Sequence, residues 1–591
     1  MRKLIKWGLL FLCCLLLVGL IAEFVFPPFS ESVLRTVPKQ SMLAAISTNK
    51  PRELVQKFQK TPICKEIETL THFHTTSQAL LRIDGAFSTY PFLGWLAKRP
   101  VNISLHLTGN NKDLMLVADL HQWSRLRGLF IPAMRKFVRG GLHIQELSTQ
   151  SSEHDTFVIS QNQQKLFGYF YRNLLVISSS EDLLKQSISL GLNQSLASST
   201  DYWQTETLKG DFDLFTQGEN IATWGSDFLT IEEKDNLLVA GHEFTTTALS
   251  CHIDSKGDIT ARGKSKLAYT KNSRFTTMLA MSKQKAAISK VVPESVALFS
   301  SFGTEGLRYA YTKMIEYDQE YRQQISDLEQ KLEIDINEDI FSWVGKEMAF
   351  IQTASFELGY KNEQTIAISL NNPTLAQEKL WQISDKTRQL TLQRFEKLNY
   401  REYLVGYLPV KDFFRLLFGE FFSKIERPFF SIIDNTLIVS NHPVTIKRII
   451  DDFEAGKTLA NQESFRHNIS KVDGSTFLLH LQGSTAFDAL HGLLAPEYYQ
   501  AVLSNQELFL SCKSATFGLK KDGQNFSVSG VYQYGKPSHT RLKLDHIAQD
   551  QAWQDRNGLS AILDGDTLKG WKAFSEIAPQ LADSQNMLQA N

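Results

Sequence analysis

The longest uninterrupted apolar stretch of the chain lies near its N-terminus. Arg2, Lys3 and Lys6 precede an uncharged run from Trp7 to Ala22; Glu23 interrupts it, Phe24 to Phe26 follow, and Pro27-Pro28 ends it. As a helix, Trp7 to Phe26 would be about 30 Å long, the thickness of a bilayer's hydrocarbon core, and two prolines cannot continue it. The positive charges precede the run and the first charges after it are Glu23 and Glu31, so the positive-inside bias keeps the N-terminus cytoplasmic and exports the rest. A cleaved signal peptide fits less well: a cut after Ala22 puts bulky Leu20 where a small residue is needed. A lipoprotein site at Cys13 would follow Phe11-Leu12, again too bulky. The expected topology is a cytoplasmic stub (1–6), a retained transmembrane signal anchor (7–26), a linker (27–36) and an extracytoplasmic body. This makes a single-pass inner-membrane protein with its mass in the periplasm or equivalent space.

Beyond the anchor the apolar pattern repeats. Val37-Pro38 with Met42 to Ile46 returns as Val292-Pro293 with Val296 to Phe299. Trp95-Leu96-Ala97-Lys98 returns as Trp343-Val344-Gly345-Lys346, and Asn173-Leu174-Leu175-Val176-Ile177-Ser178 as Asn435-Thr436-Leu437-Ile438-Val439-Ser440. Ser195-Leu196-Ala197 matches Thr458-Leu459-Ala460, and the turn at Lys256-Gly257 matches Asp522-Gly523. The five offsets are 255, 248, 262, 263 and 266 residues, always in the same order. The pattern predicts a tandem duplication, with repeats at 37–268 and 288–536, a polar Lys-containing linker at 269–287 and a tail at 537–591. Strong helix formers between Leu568 and Leu588 make the tail partly helical.

Within each repeat the period switches between two and 3.6. Strands are predicted at Val101 to Leu107, Leu114 to Leu120 and Thr365 to Leu370, and helices at Pro51 to Phe58, Glu305 to Leu332, Gln122 to Val138 and Pro373 to Leu390. Hairpins close each unit through Gly-containing turns. The fold class is α+β: two copies of a largely antiparallel sheet with helices on one face, behind one transmembrane helix. The second copy alone has a Phe-rich segment, Lys411 to Lys424. Its Phe413, Phe414, Leu417, Phe418, Phe421 and Phe422 make it either a buried helix or an exposed hydrophobic docking surface.

Composition narrows the chemistry. Lys+Arg and Asp+Glu are both 63, so no basic field attracts nucleic acid. Outside the anchor only Cys64, Cys251 and Cys512 remain, too few for a disulfide framework and without a CxxC pair. His72-Phe73-His74 could present two imidazoles but lacks a third spaced ligand. Asp335-Ile336-Asn337-Glu338-Asp339 resembles the start of a calcium loop, yet Ile340 and Lys346 stand where Gly and Glu are needed, so an acidic helix start is the better reading. Arg125, Arg127, Arg135, Lys136 and Arg139, with Trp123, Leu126, Leu129 and Phe130, could form a basic helix on anionic headgroups or simply a solvated face. Repeated Trp95 and Trp343 suit core anchors. No GxSxG, GxxxxGK[ST] or HExxH motif occurs.

The Val-Pro start, the run Asp339-Ile340-Phe341-Ser342-Trp343-Val344-Gly345 and the Asn-x-Leu-Ile-Val-Ser strand followed by a helix resemble the bacterial family of unknown function designated DUF3352. The resemblance covers most of 37–536 and is strongest in the second copy; the first has Gly94 before Trp95, Ala97 after it, and no Phe-rich helix. It implies a membrane-anchored envelope protein and supplies no catalytic residues. The expected function is a non-catalytic envelope scaffold or binding module, with no cofactor or metal. The membrane is its partner through residues 7–26, with an envelope protein or a lipid as a further partner. Handling of a lipid or other hydrophobic ligand is the first alternative, and an extracytoplasmic hydrolase the second.

Overall fold

The structure, a computed structural model, describes residues 29–69, 91–109, 111–126, 143–147, 156–161, 164–192, 210–268, 286–304, 307–353, 363–391, 398–408, 410–411, 413–418, 422, 425–426, 428–472, 474–523 and 525–536. The predicted anchor (7–26), most of the 269–287 linker and the 537–591 tail lie outside them. Among the described residues no helix is long and apolar enough to cross a membrane.

The fold is α+β around one 20-stranded antiparallel sheet. The first ten strands are β1 (Met42–Thr48), β2 (Val101–Thr108), β3 (Asn111–Asp119), β4 (His143–Leu147), β5 (Thr156–Gln161), β6 (Gln164–Tyr171), β7 (Leu174–Ser178), β8 (Phe212–Gln217), β9 (Phe244–Ile253) and β10 (Ile259–Leu267). The last ten are β11 (Val296–Gly303), β12 (Val344–Thr353), β13 (Glu363–Leu370), β14 (Leu398–Tyr400), β15 (Tyr403–Tyr407), β16 (Phe429–Ile433), β17 (Thr436–Ser440), β18 (Phe477–Gln482), β19 (Cys512–Asp522) and β20 (Asn525–Tyr534). Neighbours in the first series run 4-5-6-7-3-2-1-8-9-10. The second series runs 14-15-16-17-13-12-11-18-19-20, the same order strand for strand.

The repeated sequence landmarks mark the turns that set this order. Two-residue hairpins, Arg172-Asn173 and Asp434-Asn435, join β6 to β7 and β16 to β17, with φ of 50° at Arg172 and 53° at Asp434. Positive φ is what tight hairpins demand. The Asn173 carbonyl accepts from Leu120 N and the Asn435 carbonyl from Leu370 N, at 2.7 and 2.8 Å. The late hairpins turn at Gly257 (φ 91°) and Gly523 (φ 63°), where a side chain would be strained.

The two series meet at β10 and β20. Ile259 pairs with Tyr532 and Lys266 with Asn525. Aligning Gly257 on Gly523 places Ile259 on Asn525 and Lys266 on Tyr532, so this pairing maps onto itself when the halves are exchanged, as in an isologous contact. A second contact has the same property. Leu229 and Leu494 form a bridge in which Thr230 N donates to Leu493 O and Ala495 N to Phe228 O, both at 2.9 Å.

The expectation of helices on one face needs correction. Ile366 and Ile368 of β13 belong to one core and Ala367 to another, so the two cores lie on opposite sides of the sheet. On the first side, helices Leu307–Tyr317, Gln319–Leu332, Pro373–Thr391 and Phe413–Phe418 bury Tyr321, Ile325, Leu380 and Phe414 against Phe302, Met348 and Val439. On the other, helices Pro443–Glu454 and Glu463–Lys471 bury Ile446, Ile450 and Phe465 against Phe299 and Ile351. The single helix predicted from Glu305 to Leu332 is two, parted at Asp318, whose carboxylate caps the second by accepting from Tyr321 N. Of the predicted helix Gln122 to Val138, the described part is a 3-10 turn, His121–Leu126.

Strands β8 and β18 each run straight into a helix, Gly218–Ser226 or Gly483–Leu493. At both joints the helix start presses against the neighbouring strand's backbone. A Cβ on Gly218 would lie 1.7 Å from the Phe244 carbonyl oxygen, and one on Gly483 1.5 Å from that of Cys512. Gly218→Ala and Gly483→Ala should therefore each lower unfolding free energy by about 2–3 kcal/mol, read from urea midpoints. A change under about 0.5 kcal/mol, typical of unconstrained surface sites, would show that these joints are looser than described.

Candidate functional site

The sequence-predicted site residues divide sharply. Phe413, Phe414, Leu417, Phe418 and Phe422 are all buried, and Phe421 lies outside the described residues. Phe414 and Phe418 stack at 6.0 Å, Phe341 meets Phe418 edge-on, and Tyr321 Oη donates to Leu416 O at 2.7 Å. Helices Leu307–Tyr317 and Gln319–Leu332 cover this segment, so for the described residues the docking-surface alternative is corrected: Phe413, Phe414, Phe418 and Phe422 are core. Trp343 is fully buried and donates to Asp339 O; Trp95 packs half-buried beside Phe157 and Phe170 with Arg99 over its ring. Asp335 accepts from Asn337 N and Glu338 N, the cap of a short helix, Ile336–Asp339. Arg125 is exposed, whereas Arg127, Arg135, Lys136, Arg139 and the pair His72 and His74 lie outside the described residues. Among the described residues no three metal-ligating side chains converge.

The structure brings other groups together. Along β2 the apolar residues alternate with Asn102, Ser104 and His106. Simple alternation would turn the polar set to solvent, yet all three are buried and face the core under helix Glu181–Leu192, where Ser104 pairs with Ala45 and Met115. The His106 ring spans two hydroxyls: Nδ1 lies 3.1 Å from Ser41 Oγ and Nε2 2.8 Å from Ser104 Oγ. Ser41 Oγ donates to Gln186 Oε1 at 3.2 Å, so it accepts from His106 Nδ1 and Nε2 accepts from Ser104. That proton order is the reverse of a serine nucleophile handing its proton to histidine. Burial also lowers the His106 imidazole to about 4, only partly opposed by Asp113 across the β2–β3 ladder. Such a weak base is poorly matched to proton abstraction near neutrality.

The second half has a buried histidine of its own. His480 is lowered to about 4 by burial; its Nδ1 lies 2.8 Å from Thr516 Oγ1, and Phe465 meets its ring edge-on at 4.9 Å. Asn468 Nδ2 donates to Ser514 and Thr516, while His480 Nε2 and Asn468 Oδ1 have no partner among the described residues. Burial lowers Lys447 to about 8, its ammonium 5.6 Å from the Tyr400 ring and beside Asp451, which accepts from Tyr400 Oη at 2.7 Å. Burial raises Glu347; it accepts from Ser301 Oγ and Ala287 N at 2.6 and 2.7 Å and so holds the turn Ala287–Lys290. Each group supports local structure.

The distinctive surface is the other face of the first half-sheet. Ile46 (43% exposed), Ile103 (51%) and Leu114 (54%) stand out from β1, β2 and β3, with Leu166 (42%) on β6. The ladders join them: Leu214–Ile46–Ile103–Leu116 is one continuous row, and Leu105–Leu114 lies beside it. Leu105, Leu116 and Leu214 are half-buried. Only Leu120, Phe157, Phe170 and Leu175 form a fully buried cluster on this side among the described residues. The corresponding row of the second half, Leu479–Ser300–Phe350–Ile366, lies on the side that its long helices cover. Helix Pro51–Gln59, which occupies the same chain position in the first half as those helices, buries no residue. Lys112 is the charge at the patch edge, 5.4 Å from the Trp224 ring centre. Sequence pattern could not single out this face, because alternation is the same whether a face is covered or bare.

No family model, curated protein or solved structure matches the chain.

Both histidines have folded-state values near 4, below the unfolded value of about 6.5. Between those values the unfolded chain takes up protons that the folded chain does not, so stability falls as pH drops through that window. The loss is at most about 3 kcal/mol per histidine. Phe215 occupies in β8 the place of His480 in β18. His480→Phe should therefore keep the neutral-pH urea midpoint and lose about 2–3 kcal/mol less than wild type on acidification from pH 7.5 to 4.5. Equal acid sensitivity of the two proteins would contradict the assignment.

Proposed function

We propose that this protein is a non-catalytic binding module of the cell envelope whose ligand is an apolar chain, such as a lipid acyl group, taken on the open face of the first half-sheet. The carrying observation is the contrast between halves: Ile46, Ile103 and Leu114 stand exposed, whereas at the corresponding places of the second half Ser300 and Ile366 are buried and Phe350 is half-buried. Contiguous exposed aliphatic rows on soluble bodies mark binding surfaces. Covering a half-exposed Ile or Leu gains on the order of 1 kcal/mol, so several such contacts give useful affinity without a charged recognition group. The reading assigns the chain a tandem duplication, supported by the strand orders and the self-complementary β10–β20 register. One copy keeps a closed structural core and the other an accessible face. Residues 7–26 act as the membrane anchor on this reading and 27–36 as its tether, with the body on the extracytoplasmic side. The envelope role agrees with the family resemblance, which rests on the quoted motifs.

Hydrolase chemistry is disfavoured by the proton order and low basicity at Ser41–His106. A scaffold without a ligand would leave the bare face unexplained. The test is titration of the purified full-length protein with a fluorescent fatty-acid analogue, alongside mass spectrometry of co-purified lipid. Ile103→Asp combined with Leu114→Asp should weaken binding at least about tenfold while leaving the unfolding midpoint within about 0.5 kcal/mol of wild type. Undiminished binding by the double variant, or repeated lipid-free preparations that also fail to bind the analogue, would remove the proposal.

A further inference from the structure

Resting on the reading of the bare face as a ligand surface, we infer that its ligand is a single-chain fatty acid whose carboxylate is held by Lys112. The face carries almost no charge. The row Leu214–Ile46–Ile103–Leu116 fixes which residues of β1, β2, β3 and β8 project on that side. In those four strands Lys112 is the one ionisable side chain that does; the others are apolar or threonine. Lys112 stands two residues before Leu114, so its stem leaves the sheet on the same face. Asp113 between them turns to the opposite face, where it pairs with His106 in the β2–β3 ladder.

Lys112 is exposed, and among the described residues its ammonium forms no ion pair. It rests against an aromatic wall instead, 5.4 Å from the Trp224 ring centre and 5.9 Å from that of Phe228. Trp224 meets Phe228 edge-on at 4.8 Å, and Phe228 meets Tyr498 edge-on at 4.7 Å, so both halves contribute to the wall. Ring faces cover one side of an ammonium, which has three donors, and leave the rest for an anion. From Lys112 past Leu114 and Ile103 to Leu214 is four residues along the strands and three strands across. Strand geometry makes that diagonal about 20 Å. One extended acyl chain has this order of length, since two end to end fill a bilayer core of about 30 Å. A single row with one cation at its end matches one chain with one negative charge. A lone lysine is a point charge, without the fork that favours bidentate phosphate binding. The aliphatic contacts supply affinity, and the charge selects the head group.

The experiment labels the purified full-length protein with a photoactivatable hexadecanol, a neutral probe. Label on the peptides carrying Ile103 and Leu114 is then competed with hexadecanoate or hexadecan-1-ol at about pH 8, where a carboxyl is ionised and a lysine protonated. Hexadecanoate should compete at about three- to fivefold lower concentration than the alcohol, the worth of one exposed ion pair. That advantage should shrink as salt is raised. Lys112→Gln should remove it by weakening hexadecanoate alone, and Lys112→Arg should keep it. Equal potency of acid and alcohol in the wild-type protein, or an advantage that survives Lys112→Gln, would overturn the inference and leave the apolar surface standing. Phosphatidylglycerol vesicles that compete as well per lipid as hexadecanoate, with the same dependence on Lys112, would overturn it in favour of a membrane surface. Absence of label from the Ile103 and Leu114 peptides would remove the ligand reading itself, and this inference with it.

Discussion

The antiparallel pairing of β10 with β20 is the constraint on which the rest of the architecture depends. Each half presents at this point a long strand whose outer backbone groups would otherwise be an open edge, a template for uncontrolled pairing. Joining the two edges removes both at once. Because the register maps onto itself when the halves are exchanged, each strand satisfies the other on the same terms. The bridge at Leu229 and Leu494 repeats that relation between the loops that follow helices Gly218–Ser226 and Gly483–Leu493. The halves are thereby fixed in one sheet, with matching rows of side chains on a common surface.

Once the rows are aligned, the asymmetry between halves becomes a matter of what the connections supply. In the second half the β11–β12 and β13–β14 connections carry long helices, and a core cluster lies on each face of the sheet. The Phe-rich segment, at the corresponding β15–β16 connection, completes that core. In the first half the helix Glu181–Leu192 closes one face over Met115, Val117 and Val176, while the opposite row is left with half-exposed Ile and Leu. The buried face of β2 holds Asn102, Ser104 and His106, where β12 places Ala349 and Ile351. Hydrogen bonds to Ser47, Ser41 and within the strand satisfy most of these polar groups, as burial requires. The half with the polar inner row is also the one with the half-exposed Ile and Leu on its outer row, the face proposed for the ligand.

Much of the fold was legible in the sequence because its signals are local. The Asn173 and Asn435 landmarks mark two-residue turns with positive φ, Gly257 and Gly523 mark the late hairpins, and Val101 to Leu107 alternates as a strand. Asp335 caps a helix, as the acidic helix start predicted. What the sequence hid depends on pairing over long separations. The motif Phe212-x-Leu214-x-x-Gln217-Gly218 recurs as Phe477-x-Leu479-x-x-Gln482-Gly483 and could have been found as a sixth landmark. Its meaning, a helix start pressed on a neighbouring backbone, emerges only once β9 and β19 are in place. Whether Phe414 is core or surface, and whether Ile103 is covered or bare, is decided by helices elsewhere in the chain. The same apolar pattern serves either outcome.

Amide hydrogen exchange of the native full-length protein tests the shared sheet most directly. If β10 and β20 form a central ladder, alternate amides of Ile259–Leu267 and Asn525–Tyr534 exchange together and slowly, with protection near that of β12 and β13 in the buried core. Exchange of these two segments at the rate of exposed edge strands, while β12 and β13 remain protected, would show that the halves are not joined there and would contradict the account.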